Sequence, residues 1–261
     1  VDRPSGIQVW NSSVMERTTP DEFSSPYETL KSIKIPAAKN GTFSGKIVVS
    51  SDKVLQNVSA TISSWTAKNG KDVLSAEIGK IFYVVRDDLG LGHYREPLGM
   101  YDTLTETAPA EVAVGGKNSG AIVPVWLKVR VPADARVGEY QATLTVSAKD
   151  LSPIKVLVEL NVADWRLPDS RDFTGAHLGL IQSPDTLAAH YNVPLWSEQH
   201  WALIERSMQL LGELGNRYAV VPLIARTNFG NEQSMVRYVK ENGSLKPEFT
   251  VFDRYLDLVQ K

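Results

Sequence analysis

The sequence contains no cysteine. That excludes a disulfide framework, a thiolate zinc site and a thiol nucleophile within the chain. It also lacks a charge of one sign. With 28 basic and 30 acidic residues the formal net charge is −2. No basic patch or run of like charge stands out, so nucleic acid and anionic membrane surfaces are not expected partners. No segment approaches the ~20 consecutive apolar residues that a membrane-spanning helix needs. The opening Val1-Asp2-Arg3-Pro4 has no signal-peptide pattern. A cysteine-free chain of this kind is expected to work outside the cytoplasm, in a periplasm or secreted, as in a bacterial envelope protein. The Gly-rich stretch Leu89-Gly90-Leu91-Gly92-His93-Tyr94 is not a dinucleotide fingerprint, because the spacing is wrong and no helix pattern follows. It reads as a surface loop. No metal-ligand cluster and no cofactor motif is found.

What is present is enough apolar content for two cores: 43% hydrophobic residues in 261. Residues 1–165 read as short strands between turns. Val58-Ser59-Ala60-Thr61-Ile62-Ser63 alternates apolar and polar residues, the period of a half-buried strand. Gly45 to Ser50 and Lys80 to Val85 are further runs. In residues 122–131 the alternation puts Val125, Leu127, Val129 and Val131 on one face. Pro124 lacks an N–H and argues for a sheet edge. Residues 140–146 and 154–160 read as a hairpin around Asp150 and Pro153. Trp10, Trp65, Trp126 and Trp165, in or beside the sandwich, are expected as core or inter-domain packing residues. Many short strands without an amphipathic helix indicate an antiparallel β-sandwich.

Residues 166–261 change pattern. Residues 173–181 read as a strand. Ser183-Pro184-Asp185 is a helix start, with Ser as N-cap and Pro at the first helical position. A second helix follows Ser197, with Trp201, Ile204, Met208 and Leu211 at helical spacing and Gly215 closing it. The apolar run 218–224 predicts a parallel strand covered on both faces. A polar loop, 226–234, comes next. Asn242-Gly243 predicts a tight hairpin turn. Thr250 and Asp253 have the spacing of a capping box before a last helix. Strand, helix, strand, loop, helix is the alternation of an α/β fold. The fold class is therefore multidomain β plus α/β: a sandwich over 1–165, then the first βα units of a TIM-type barrel over 166–261. A closed barrel takes about 250 residues, so the chain is expected to continue beyond Lys261.

Several motifs carry a family resemblance. These are Val131-Pro132-Ala133-Asp134-Ala135 with Gly138-Glu139-Tyr140 and Ala142-Thr143-Leu144-Thr145-Val146; His177-Leu178-Gly179-Leu180-Ile181-Gln182-Ser183-Pro184; Leu211-Gly212-Glu213-Leu214-Gly215-Asn216; residues 221–231; and Phe252-Asp253-Arg254-Tyr255-Leu256-Asp257-Leu258. Together they resemble proteins related to glycoside hydrolase family 123. The resemblance implies a structural N-terminal sandwich and a catalytic barrel. It also implies N-acetyl-β-galactosaminidase chemistry, with an adjacent Asp-Glu pair acting beside the substrate's own acetamido oxygen. The adjacent Asp-Glu in this chain is Asp21-Glu22, at the sandwich end. The catalytic acids are therefore expected beyond this sequence.

Barrel enzymes work at the C-terminal ends of their strands. The candidate substrate-binding residues at those positions are His177, Arg226, Asn228, Asn231 and Glu232, with Trp196 as an aromatic face for a sugar. Each has a plainer reading. Arg226 can order its loop by pairing with Glu232. Asn228 and Asn231 can be turn formers. His177 can be a hydrogen-bonded core residue, and Trp196 a hydrophobic staple onto Trp201. Two further functions stand beside the hydrolase: a non-catalytic carbohydrate-binding or cell-surface protein in which the sandwich does the work, and a structural module without a ligand.

Overall fold

The computed structural model describes residues 3–86, 101–115, 119–172, 179–180, 182–227 and 230–261. The Gly-rich stretch at 89–94, His177 and Asn228 lie outside them. The described residues form two compact units that divide between Leu167 and Pro168. No helix among them is long and apolar enough to cross a membrane.

In chain order the strands of the first unit are β1 (Ile7–Asn11), β2 (Ile33–Lys39), β3 (Thr42–Ser51), β4 (Leu55–Gln56), β5 (Ser59–Ile62), β6 (Trp65–Ala67), β7 (Val73–Leu74), β8 (Gly79–Arg86), β9 (Tyr101–Thr105), β10 (Glu111–Val112), β11 (Ala121–Arg130), β12 (Gly138–Ala148) and β13 (Leu151–Arg166). One sheet has the order β1-β3-β11-β8-β9. The other has the order β2-β13-β12-β6-β7, with β5 also on β12, and β4 pairs with β10. The two inner faces share one apolar core. Along β12 the residues Tyr140, Ala142, Leu144 and Val146 point into it, and along β13 Val156, Val158, Leu160 and Val162 do the same. Val125, Leu127, Val129 and Val131 are fully buried, as their alternation predicts. The β12–β13 hairpin turns at Asp150, which takes φ 64°.

Tyr140 is buried, and its hydroxyl donates to the Arg136 carbonyl four residues upstream at 2.9 Å. This is the tyrosine-corner arrangement of β-sandwiches. It explains the Gly-Glu-Tyr pattern: the ring fills the core while the phenol ties down the incoming corner.

Three expectations for this unit need correction. The sandwich is not wholly antiparallel, because β2 lies parallel to β13, with Val158 opposite Ile33. A parallel pair needs a long connection, and here nearly the whole sandwich intervenes. Pro124 is not at a sheet edge, since β11 lies between β3 and β8. The β8 ladder begins only at Val125, opposite Tyr83, while Pro124 pairs with Val48 of β3. The proline therefore stands where β11 has one neighbour instead of two, and its missing donor breaks no two-sided pairing. Among the tryptophans, Trp65 is fully buried, and Trp10 and Trp126 are half-buried with their indole N–H groups on Ser50 and Ser44. Trp165 is 61% exposed. A register shift between Ala163 and Arg166 interrupts the in–out alternation there.

The second unit contains α1 (Pro184–Tyr191), α2 (Glu198–Glu213), the hairpin β14 (Arg237–Glu241) and β15 (Ser244–Glu248), and α3 (Thr250–Gln260). Ser183 and Ser197 cap α1 and α2 through their hydroxyls. Gly215 takes φ 79° after α2. The N–H of Gly215 reaches the Gly212 carbonyl, and that of Asn216 reaches the Leu211 carbonyl. Those two bonds are the Schellman closure. The hairpin turns on Asn242 (φ 50°) and Gly243 (φ 82°), both left-handed as a type I′ turn requires. Trp201, Ile204, Met235, Val251 and Tyr255 form the unit's apolar cluster.

Here too the structure departs from expectation. Of the strand predicted over 173–181, only Gly179 and Leu180 are described, and they are not in a strand. The run 218–224 enters no sheet ladder among the described residues. Ala219 and Val221 pack on the helical cluster, whereas Tyr218, Leu223 and Ile224 are 55%, 56% and 72% exposed. An apolar run becomes a strand only when a neighbouring backbone completes its hydrogen bonds, and here one face packs and the other stays open. Among its described residues this unit displays no parallel sheet or barrel. Thr250 is not a cap either. Phe249 occupies the N-cap position of α3 without a side-chain bond. The Glu248 carboxylate accepts the Thr250 N–H at 2.7 Å instead, which satisfies one free donor of the first turn.

Candidate functional site

The polar loop after residue 224 is organised around one side chain. Asn231 is 1% exposed. Its amide nitrogen donates to the Ile224 carbonyl at 2.8 Å and the Gln233 carbonyl at 3.0 Å. Its amide oxygen accepts from both the backbone N–H and the hydroxyl of Thr227. Its own carbonyl accepts the Arg226 N–H at 2.8 Å. Arg226 holds a left-handed backbone, φ 59°, and Gly230 another at φ 73°. Asn231 is thus the interior hub of the loop. That corrects its assignment as a ligand contact: an amide buried this deeply, with both ends engaged, has nothing left to offer a sugar.

The hub turns two side chains outward. Arg226 and Glu232 are 84% and 74% exposed, with Arg226 Nε 3.8 Å from Glu232 Oε2. An exposed pair of that length adds little stability, so both groups remain available to a ligand. The backbone of Glu232 is fixed differently. Its N–H donates to Asp185 Oδ1, at the start of α1, at 2.8 Å.

Trp196 stands before the N-cap of α2 and takes φ 63°, a conformation strained for a bulky residue. Three contacts hold it there. Its N–H donates to His200 Nδ1 at 2.9 Å, its ring lies 5.4 Å from that of Trp201, and its indole N–H reaches Gln233 Oε1 at 3.3 Å. The ring contact joins the residue before the cap to the fourth helical residue, the hydrophobic staple. His200 is fully buried. With Nδ1 accepting, its Nε2 donates to the Pro184 carbonyl at 2.8 Å, which ties α2 to the start of α1. The Arg254 guanidinium lies over the Trp201 ring, 4.6 Å from its centre, and grips both oxygens of Glu198 at 2.8 Å. That guanidinium holds the Glu198 carboxyl below the ordinary carboxylate range.

Of the six candidates, Arg226, Asn231, Glu232 and Trp196 therefore belong to one corner of the second unit, joined through Gln233 and Asp185. His177 and Asn228 lie outside the described residues. Asp185 and His200 join the corner without having been singled out by sequence, and Gln233 joins it from the same polar loop. The Ser-Pro-Asp pattern marks Asp185 only as a first-turn acid, and nothing in it shows a partner 47 residues away. Among the described residues, no group of three His, Asp or Glu side chains is arranged to hold a metal.

Residues 16–148 match the family model described as the glycoside hydrolase 123 N-terminal domain, and residues 182–261 match that described as the glycoside hydrolase 123 catalytic domain. Among solved structures, the chain is similar to a family 123 glycoside hydrolase from Clostridium perfringens, studied for glycolipid glycan hydrolysis. The TM-score is 0.77 at 19% identity, over 97% of this chain and 45% of that one. The chain thus spans less than half the length of that enzyme, and the likeness is one of fold. A PapD-like domain of human CEP192 aligns with 64% of this chain and 92% of its own at 11% identity, with a TM-score of only 0.26. No curated protein matches the sequence.

Proposed function

The chain belongs to glycoside hydrolase family 123, and from that membership we propose that it is the N-terminal portion of an extracytoplasmic enzyme that hydrolyses glycosidic bonds in glycans containing N-acetylhexosamine. The observation that carries this reading is the order of the two family matches, N-terminal domain over 16–148 and catalytic domain over 182–261.

In this reading the sandwich is a scaffold and the second unit opens a (β/α) barrel. Barrel chemistry sits in the loops that follow the strands. The loop built on Asn231 follows the apolar run 218–224, and Asp185 follows the first predicted strand. The Asp185–Glu232 hydrogen bond supports the two loops facing the same end. Arg226 would donate to sugar hydroxyls, Glu232 would accept from them, and the half-buried Trp196 would offer an apolar face at the rim.

Glycoside hydrolysis needs two carboxyl groups, or one acting with the substrate's acetamido group. The segment 182–261 contains no adjacent Asp-Glu pair, and in Asp21-Glu22 the Asp21 carboxylate accepts from Ser119 at 2.7 Å within the first unit. The proposal therefore assigns the acid pair to sequence outside these 261 residues. The test is hydrolysis of a panel of aryl glycosides, N-acetylhexosaminides included, by the full-length protein and by this chain. Activity of the long form alone is the expected result. Activity of this chain would move the acids into it and point to Glu232. Silence of both would overturn the enzyme reading and favour a non-catalytic carbohydrate-binding protein.

A further inference from the structure

A strained residue and a buried titratable one meet at the start of α2. Trp196 is the third residue of a turn closed by the Ser197 N–H on the Pro194 carbonyl at 3.2 Å. Its φ is 63°, while Leu195 before it has no positive φ. That is the position of a type II turn that glycine or asparagine ordinarily fills. A tryptophan there is strained, and it persists only because its surroundings hold it. His200, the third residue of α2, is fully buried.

The His200 ring is used at both nitrogens with opposite polarity. Nδ1 meets the Trp196 N–H at 2.9 Å, and Nε2 meets the Pro184 carbonyl at 2.8 Å. A backbone N–H can only donate, and a carbonyl can only accept. The two partners therefore fix one neutral form, with its single ring proton on Nε2. A second ring proton would make Nδ1 a donor aimed at another donor. The bond to Pro184 uses Nε2–H, which both protonation states possess. The bond to Trp196 uses the bare Nδ1, which only the neutral ring possesses. Protonation thus removes the contact that holds the strained turn. Imidazole is the side chain whose ordinary charge change falls between about pH 5 and 8, so mild acid addresses this contact.

The Trp196 ring carries the change outward. It lies 5.3 Å from the His200 ring, and its indole N–H reaches Gln233 Oε1 of the loop built on Asn231. Other titratable groups surround the pair. Asp185 follows Pro184 on α1 and takes the Glu232 N–H. From α3, Tyr255 joins the same apolar cluster as Trp201, and Arg254 lies over Trp201 and pairs with Glu198. Carboxyl groups also change charge in acid, so a test has to read the His200 ring itself.

We infer that His200 is a proton-operated latch on Trp196: the neutral ring holds the tryptophan in its left-handed turn, and protonation releases it and withdraws its indole from the rim of the candidate site. The rim rests on the glycosidase reading. The latch rests on the two hydrogen bonds and the strained turn.

The experiment is a pH titration of this chain, labelled with ¹⁵N, from about pH 8 to about pH 5, the range in which imidazoles change charge. At the basic end the His200 ring should carry its proton on Nε2 alone. As pH falls, the ring should protonate in one step, and the Trp196 amide and indole signals should move at the same midpoint. Far-ultraviolet circular dichroism should stay constant through that step. His200→Asn offers an oxygen in place of Nδ1 and cannot protonate, so in a folded variant the step at Trp196 should vanish. The wild-type titration decides the matter even if the variant does not fold. A ring proton on Nδ1 at the basic end, Trp196 signals that ignore the His200 midpoint, a ring that stays neutral until the chain unfolds, or unfolding in the same step would each overturn the latch. In the full-length protein, KM for an aryl N-acetylhexosaminide should rise below the His200 midpoint in the wild type and not in His200→Asn. Equal KM profiles would remove Trp196 from the rim. A full-length protein without activity whose latch still titrates would sink the glycosidase reading alone.

Discussion

Two tyrosines carry opposite lessons. Tyr140 and Tyr255 are both buried, but the Tyr140 hydroxyl donates to Arg136 and the Tyr255 hydroxyl has no partner. Removing a paired phenol leaves a carbonyl orphaned, whereas removing an unpaired one relieves a desolvation cost. Tyr140→Phe is therefore expected to destabilise the chain by about 1 kcal/mol, and Tyr255→Phe to stabilise it by a similar amount. Urea denaturation measures both. Burial also pushes the Tyr255 phenol up to about 12. In the unfolded chain it ionises near 10, so its term is constant below that pH and costs stability as pH rises toward 12. Tyr255→Phe should flatten this alkaline decline. An unchanged decline would mean that the phenol reaches solvent. Neither environment is visible in sequence, because a hydroxyl's neighbours are set by what packs beside it.

Between elements, hydrogen bonds decide more than propensity does. The loop at 224–233 has the Asn and Gly residues of a turn, and its sequence does not tell which of them face a ligand. The fold turns Asn231 inward instead, where it makes four hydrogen bonds. Asn231→Ala is expected to cost about 2–4 kcal/mol, from several lost bonds and newly unpaired groups. It should also raise hydrogen exchange at Thr227 and Glu232. A loss below 1 kcal/mol would show that the loop does not depend on it. The Glu198–Arg254 contact joins the start of α2 to α3 in the same way. Because Glu198 is held below its ordinary range by Arg254, its contribution is present above the unfolded carboxylate pKa and fades as pH falls through the folded one. Glu198→Gln should make the unit's melting temperature less sensitive to acid. The pair is exposed, so the effect is small.

At the scale of the molecule, the first unit has its own core, drawn from both sheets and closed by the Tyr140 corner. A segment ending at Leu167 is expected to fold alone, with β-type circular dichroism and one cooperative thermal transition. A broad melt would show that its core is incomplete without the second unit. Much of this architecture was legible beforehand. Alternation at Val125, Leu127, Val129 and Val131, the caps at Ser183 and Ser197, the Gly215 closure and the Asn242-Gly243 turn are all signals spanning a few residues. Local sterics and neighbouring hydrogen bonds determine them, so the sequence by itself settles them. The parallel pairing of β2 with β13, the second neighbour missing at Pro124, the one-sided packing of 218–224 and the Asp185–Glu232 bond were decided by tertiary structure alone. Each depends on which distant backbone or side chain arrives alongside. That choice comes from the burial and hydrogen bonding of the whole chain, which no local spacing records.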